Sequence, residues 1–128
     1  MKTQSKLIAT LLSAFLLAGC ISTTPEQAAA KTLSTIAITA DESMTGWAKW
    51  VVFKKSNPAT DQAELLRQEG RVKNAYELYQ TSMKLASFAW NMYATTSNKN
   101  PADLQDALNK ASLAQKALTT TITTITKP

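Results

Sequence analysis

Histidine is absent from the 128 residues, cysteine occurs once, and the three glycines, Gly19, Gly46 and Gly70, stand apart from one another. Without histidine the chain lacks the commonest general base and the commonest metal ligand. One thiol cannot close a disulfide within the chain. Isolated glycines build no phosphate-cradling loop, and no serine is followed by lysine at the Ser-x-x-Lys spacing of some serine hydrolases. Acidic residues are few, nine against fourteen Lys and Arg, giving a formal charge of +5. Asp103 and Asp106 fall in one helical first turn, where dipole and capping explain them; Asp41 and Glu42 are neighbours, roughly 100° apart on a helix, and do not converge. These shortages point away from an enzyme and from a metal cofactor.

Long apolar runs are also missing. The longest, Leu7–Gly19, follows the basic start MKTQSK and gives way to the polar Ser22-Thr23-Thr24-Pro25. A spanning helix needs about 20 apolar residues, so this shorter run reads as a secretory signal with an n-region and an h-region. The small residues Ala18 and Gly19 mark a cleavage site, and the lone cysteine, Cys20, comes directly after them. Leu17-Ala18-Gly19-Cys20 resembles the lipobox of bacterial lipoproteins. The resemblance implies diacylglyceryl transfer to the Cys20 sulfur, cleavage before Cys20 and acylation of the new amine, typically with palmitate. It covers residues 1–20 alone. Each buried methylene contributes about 0.8 kcal/mol, so two or three chains would hold the protein to a membrane almost permanently. Ile21 in place of Asp implies the outer membrane, facing the periplasm, in a diderm host.

On this reading residues 1–19 are a signal peptide, 20–24 a lipidated tether and 25–128 one helical domain. Loss of Lys2 and Lys6 with the leader takes the charge from +5 to +3. That mild excess, spread along an exported chain, gives no reason to expect a nucleic-acid partner. With Cys20 acylated no thiol is left, and packing alone must stabilise the domain.

Prolines punctuate the domain. Thr24-Pro25, Asn57-Pro58 and Asn100-Pro101 each place a capping side chain before a proline that suits the first helical position. Thr24 with Gln27 reads as a capping box. Helices are therefore expected over about 25–55, 58–96 and 101–126. Apolar residues recur at steps of three and four: Leu33, Ile36, Ala40, Met44, Trp47 and Val51 in the first, and Tyr76, Tyr79, Met83, Ala86, Trp90 and Ala94 in the second, after Leu65 and Val72. The third carries Leu104, Ala107 or Leu108, Ala111, Leu118, Ile122 and Ile125. The second helix should run through Gly70, and Gly46 in the first is a place for bending or close helix approach. The tail TTTITTIT is rich in β-branched residues, yet Ile122 and Ile125 share a face only on a helix. Short connections return neighbouring helices antiparallel. The fold expected is all-α, an elongated antiparallel three-helix bundle.

Two features extend beyond the core pattern. Leu78, Leu85, Phe88 and Met92 form a second stripe on nearly the opposite face of the second helix, to be covered by the third helix, by another copy or by a different envelope protein. Trp47–Lys55 mixes bulky rings with lysines; Trp47 and Val51 fit the core stripe, Trp50 its edge, and Val52 and Phe53 lie off it. Trp50 and Phe53 therefore join the second stripe as candidate partner-binding residues. Glu69 with Lys73, Lys73 with Glu77, and Asp106 with Lys110 read as solvated i,i+4 pairs.

A weaker resemblance, carried by Met44–Val51 and Val72–Met83, is to small helical proteins of phages and prophages whose function is unknown; it implies no site residue. The expectation is a non-enzymatic, lipid-anchored envelope protein acting as a helical binding or structural module, with partners limited to the membrane, an envelope protein or itself. The alternative is a phage-encoded envelope lipoprotein acting in lysis or superinfection exclusion. Lys127 is followed by Pro128, a departure from the major outer-membrane lipoprotein, whose terminal lysine joins peptidoglycan.

Overall fold

Capping chemistry sets where the helices begin. In the computed structural model, which describes residues 24–97 and 100–127, α1 runs over Pro25–Ser56, α2 over Gln62–Thr95 and α3 over Pro101–Thr126. Thr24 and Gln27 form the reciprocal box: the Gln27 N–H donates to Thr24 Oγ1 at 3.2 Å and the Thr24 N–H donates to Gln27 Oε1 at 3.3 Å. Asn100 caps α3 by accepting from the N–H groups of Ala102 and Asp103.

The start of α2 differs from the expectation at Pro58. Asn57 closes α1 instead of opening α2, and its Oδ1 accepts from the Ala59 N–H at 3.0 Å. A turn follows, closed by the Thr60 N–H on the Asn57 carbonyl at 3.1 Å. Asp61 is then the cap, its Oδ1 accepting from both Ala63 and Glu64. Asn-Pro serves turns as readily as helix starts, and a carboxylate four residues from Asn57 supplied the stronger cap.

At 32, 34 and 26 residues the helices are about 48, 51 and 39 Å long. They form an antiparallel three-helix bundle in which every pair is in contact, α2 with α3 most extensively. Trp90 Nε1 donates to the Glu26 carbonyl at 2.8 Å, joining the end of α2 to the start of α1. At the other end Lys55 Nζ lies 3.3 Å from Glu69, so Glu69 pairs across helices and not with Lys73. Asp106 and Lys110 do pair along α3, at 2.9 Å.

The stripes converge as their spacing predicts. Ile36, Ala40 and Trp47 meet Val72, Tyr79 and Ala86 and, from α3, Ala111, Leu118 and Ile122. Ala40, Ala86 and Ala111, one from each helix, are fully buried, and such small side chains let helix axes approach closely. Ala29, Leu104 and Leu108 form a smaller cluster at the end where α1 starts. Ala94, expected on the α2 stripe, is exposed. Neither Gly46 nor Gly70 marks a close approach: a Cβ at either position would meet nothing within 4 Å.

The threonine-rich tail is helical to Thr126. Thr121 and Thr126 each donate a hydroxyl to the carbonyl four residues back, at 2.8 Å. That local bond offsets part of the low helix propensity of β-branched residues, and burial of Ile122 and packing of Ile125 add the rest.

Candidate interaction surface

The second α2 stripe, expected to be covered by the third helix, by another copy or by a different envelope protein, is not covered by the third helix and is open to solvent. Leu78 is 67% exposed, Leu85 60%, Phe88 64% and Met92 44%. The reason is rotational. α1 and α3 both pack on the side of α2 that carries Leu65, Val72, Tyr79 and Ala86, and three helices around one core leave the outer face of each uncovered.

The aromatic cluster near the end of α1 divides. Trp47 is buried and stacks on Trp50, with ring centroids 5.1 Å apart. Trp50 is half-buried against the core, and Lys54 Nζ lies 5.4 Å from its ring centre, a cation–π arrangement. Val52 and Phe53 are 69% and 61% exposed. Rotation explains this first, since Val52 and Phe53 continue the outer face of α1 that carries the exposed Glu42, Thr45 and Lys49, and helix length adds to it. Ser43 and Thr119 are in contact at an offset of 76 residues, and carrying that offset along two parallel helices of equal rise brings Thr126, the last residue of α3, level with Trp50. Val52 and Phe53 lie past its end. Of the six candidate residues, Leu78, Leu85, Phe88, Met92 and Phe53 are therefore surface residues on two separate regions, and Trp50 belongs mainly to the core.

Tyr76, Tyr79, Trp90 and Tyr93 pack inward, as helical spacing predicts. Tyr76 and Tyr79 stack at 5.8 Å. Burial, then the nearby Asp41 carboxylate and Tyr76, raise the pKa of the Tyr79 phenol above its ordinary 10.0.

A polar layer crosses the core that the apolar stripes did not reveal. Gln115, only 6% exposed, donates from Nε2 to Thr119 Oγ1 at 2.9 Å. Ser43 Oγ is 2.9 Å from Thr119 Oγ1 and donates to the Thr39 carbonyl at 3.0 Å. Since Ser43 has a single proton, Thr119 must donate to Ser43, and the chain runs Gln115 to Thr119 to Ser43 to Thr39. The signal was a gap: Ala111 to Leu118 is a step of seven, and Gln115 fills the place between.

At the start of α1 an open cleft of about 260 Å³ runs between α1 and α3, lined by residues that include Pro25, Ala29, Tyr93, Pro101, Leu104 and Leu108. Its volume falls just under the usual range for small-molecule sites. Among the described residues no three His, Cys, Asp or Glu side chains gather as a metal site, and no helix is long and apolar enough to cross a membrane. Cys20 lies outside the described residues, as do the stretch 1–19 expected to be a signal peptide and residues 20–23 of the expected tether. No family model, curated protein or solved structure matches the chain.

Proposed function

We propose that this protein is a non-enzymatic envelope lipoprotein, acylated at Cys20, that holds a helical rod upright on a membrane and presents its far end to another envelope component. The observation that carries the proposal is Leu17-Ala18-Gly19-Cys20 at the end of an apolar leader, five residues before α1 begins. The bundle geometry supports it. Thr24 is four positions after Cys20, a reach of at most about 14 Å, so acyl chains on Cys20 keep the Pro25 end of the bundle close to the bilayer. Val52 and Phe53 are then at the opposite end, about 40 to 50 Å away. There two exposed apolar side chains stand beside Lys49, Lys54 and Lys55, a mixture suited to a partner with both apolar and acidic groups.

Labelled palmitate fed to cells tests the anchor. It should enter the wild type and be missing from Cys20→Ala, and equal labelling of both would defeat the proposal.

A further inference from the structure

We infer that the outer face of α2 is a seam by which two copies of this protein pair side by side and in parallel, an orientation that rests on the Cys20 anchor proposed above. Leu78, Leu85 and Met92 are seven residues apart, and Thr81 and Phe88 fall three after the first two. That is the a and d spacing of a coiled-coil seam, here on the side of α2 away from its own core. The four large side chains leave on the order of 400 Å² exposed per copy, as large as the biggest patch on an ordinary monomer, and burying two such patches with their rims approaches the lower limit for a specific interface.

The pattern fits a second copy of the same helix. In a parallel pair each layer meets its own kind: Leu78 on Leu78, Thr81 on Thr81, Leu85 on Leu85, Phe88 on Phe88. No charged residue occupies a seam position between Leu78 and Met92. One step of seven before Leu78 stands Arg71, which would face another arginine and so ends the seam there. The flanks agree as well. The residue before each a position faces the residue five further on in the partner helix, which sets Glu77 opposite Ser82 and Lys84 opposite Ala89, with no like charges opposed. Ala75, Ser82 and Ala89 are small enough to let the helices close.

The tether decides orientation, and the a and d side chains decide register. Through the Trp90 and Glu26 contact, α2 ends at the same end of the bundle as the chain leaves for Cys20. Two copies anchored in one leaflet thus hold α2 pointing the same way, at heights that differ by no more than the tethers reach. An antiparallel pair would lift one anchor about 40 Å or more from the surface, several times the reach of the tether. Confinement to a membrane also raises the effective concentration of each copy for the other.

Full-length protein expressed in a diderm bacterium, with Thr81→Cys introduced and cells treated with copper phenanthroline, tests the seam. A parallel pair brings the two sulfurs within disulfide range. We expect at least tenfold more linked dimer than from Lys116→Cys on the exposed face of α3, and a tenfold or greater loss when Leu85→Asp is added. Leu85 is exposed, so helical content by circular dichroism should be unchanged by that second substitution. Linking no stronger than Lys116→Cys, or indifferent to Leu85→Asp, overturns the inference. The wild type run alongside keeps the two readings apart: a linked wild-type dimer reports a free Cys20 thiol and fails the anchor. The same comparison in a Cys20→Ala background then decides the seam, where linking at the control level again overturns it.

Discussion

The indole N–H of Trp90 donates to the backbone carbonyl of Glu26 at 2.8 Å, across 64 residues of sequence. This bond ties the last turns of α2 to the first turn of α1, so that the end of α2 lies at the end of the bundle where α1 begins. It places Met92 near that end and Leu78 farther up the rod.

Trp90→Phe keeps a six-membered aromatic ring but removes the donor and the pyrrole half of an indole that packs on the Ala29, Leu104 and Leu108 cluster. The loss should be at least about 1 kcal/mol, the net worth of one intramolecular hydrogen bond, with lost packing added to it. Amides at the start of α1 should exchange faster than in the wild type, while those around Ile36 and Ala40 should not change. Uniform acceleration along α1 would show that the bond does not act locally.

The polar layer makes a sharper energetic prediction. Thr119→Val leaves the Gln115 amide without its acceptor and Ser43 without its donor. Denaturant unfolding should show a loss of about 1 to 3 kcal/mol, because a buried polar group stranded without a partner costs its full desolvation. Adding Gln115→Leu should recover most of that loss. If the double variant is the less stable of the two, the layer contributes through packing and not through hydrogen bonding.

Thr60 is the reverse case. Its Oγ1 is buried at the α1–α2 turn without a hydrogen-bond partner. Thr60→Val replaces that hydroxyl with a methyl group and should raise stability by about 0.5 to 1 kcal/mol, read as a higher urea midpoint at unchanged slope. A lower midpoint would indicate that the hydroxyl is satisfied in solution.

Tyr79 gives the bundle an alkaline limit. Burial, with the Asp41 carboxylate and Tyr76 adding to it, raises the phenol pKa above 10.0. The folded state therefore holds this proton more tightly than the unfolded state does. The stabilisation is fully present below about pH 10 and is lost as pH rises through the folded pKa. Melting temperatures of wild type and Tyr79→Phe, followed upward from pH 8, should show the wild type losing stability relative to the variant above pH 10. A constant difference would contradict the assignment.

Much of this architecture was legible in the sequence because helices write their partners into a period of three and four. Spacing alone puts Ile36, Ala40 and Trp47 on one face, and likewise Leu118 and Ile122, and these are the residues that meet in the core. The capping box at Thr24 was equally plain. Asn57-Pro58 was ambiguous because the same side chain can close one helix or open the next, and only the competing carboxylate of Asp61 decided it. The fate of Leu78, Leu85, Phe88 and Met92 was not legible, since which face of α2 the third helix covers depends on packing among three helices and not on any one of them. Gln115 escaped for a related reason: a polar residue on an apolar stripe reads as an interruption until Thr119 and Ser43 are brought beside it by the fold.

The anchor is the premise for both the upright rod and the paired seam. Its most direct test is the intact mass of full-length protein purified from the membrane fraction of expressing cells. The expected species is a polypeptide beginning at Cys20 and carrying the added mass of a diacylglyceryl group, with or without a third acyl chain. A chain of unmodified mass whose Cys20 thiol reacts with maleimide would contradict it.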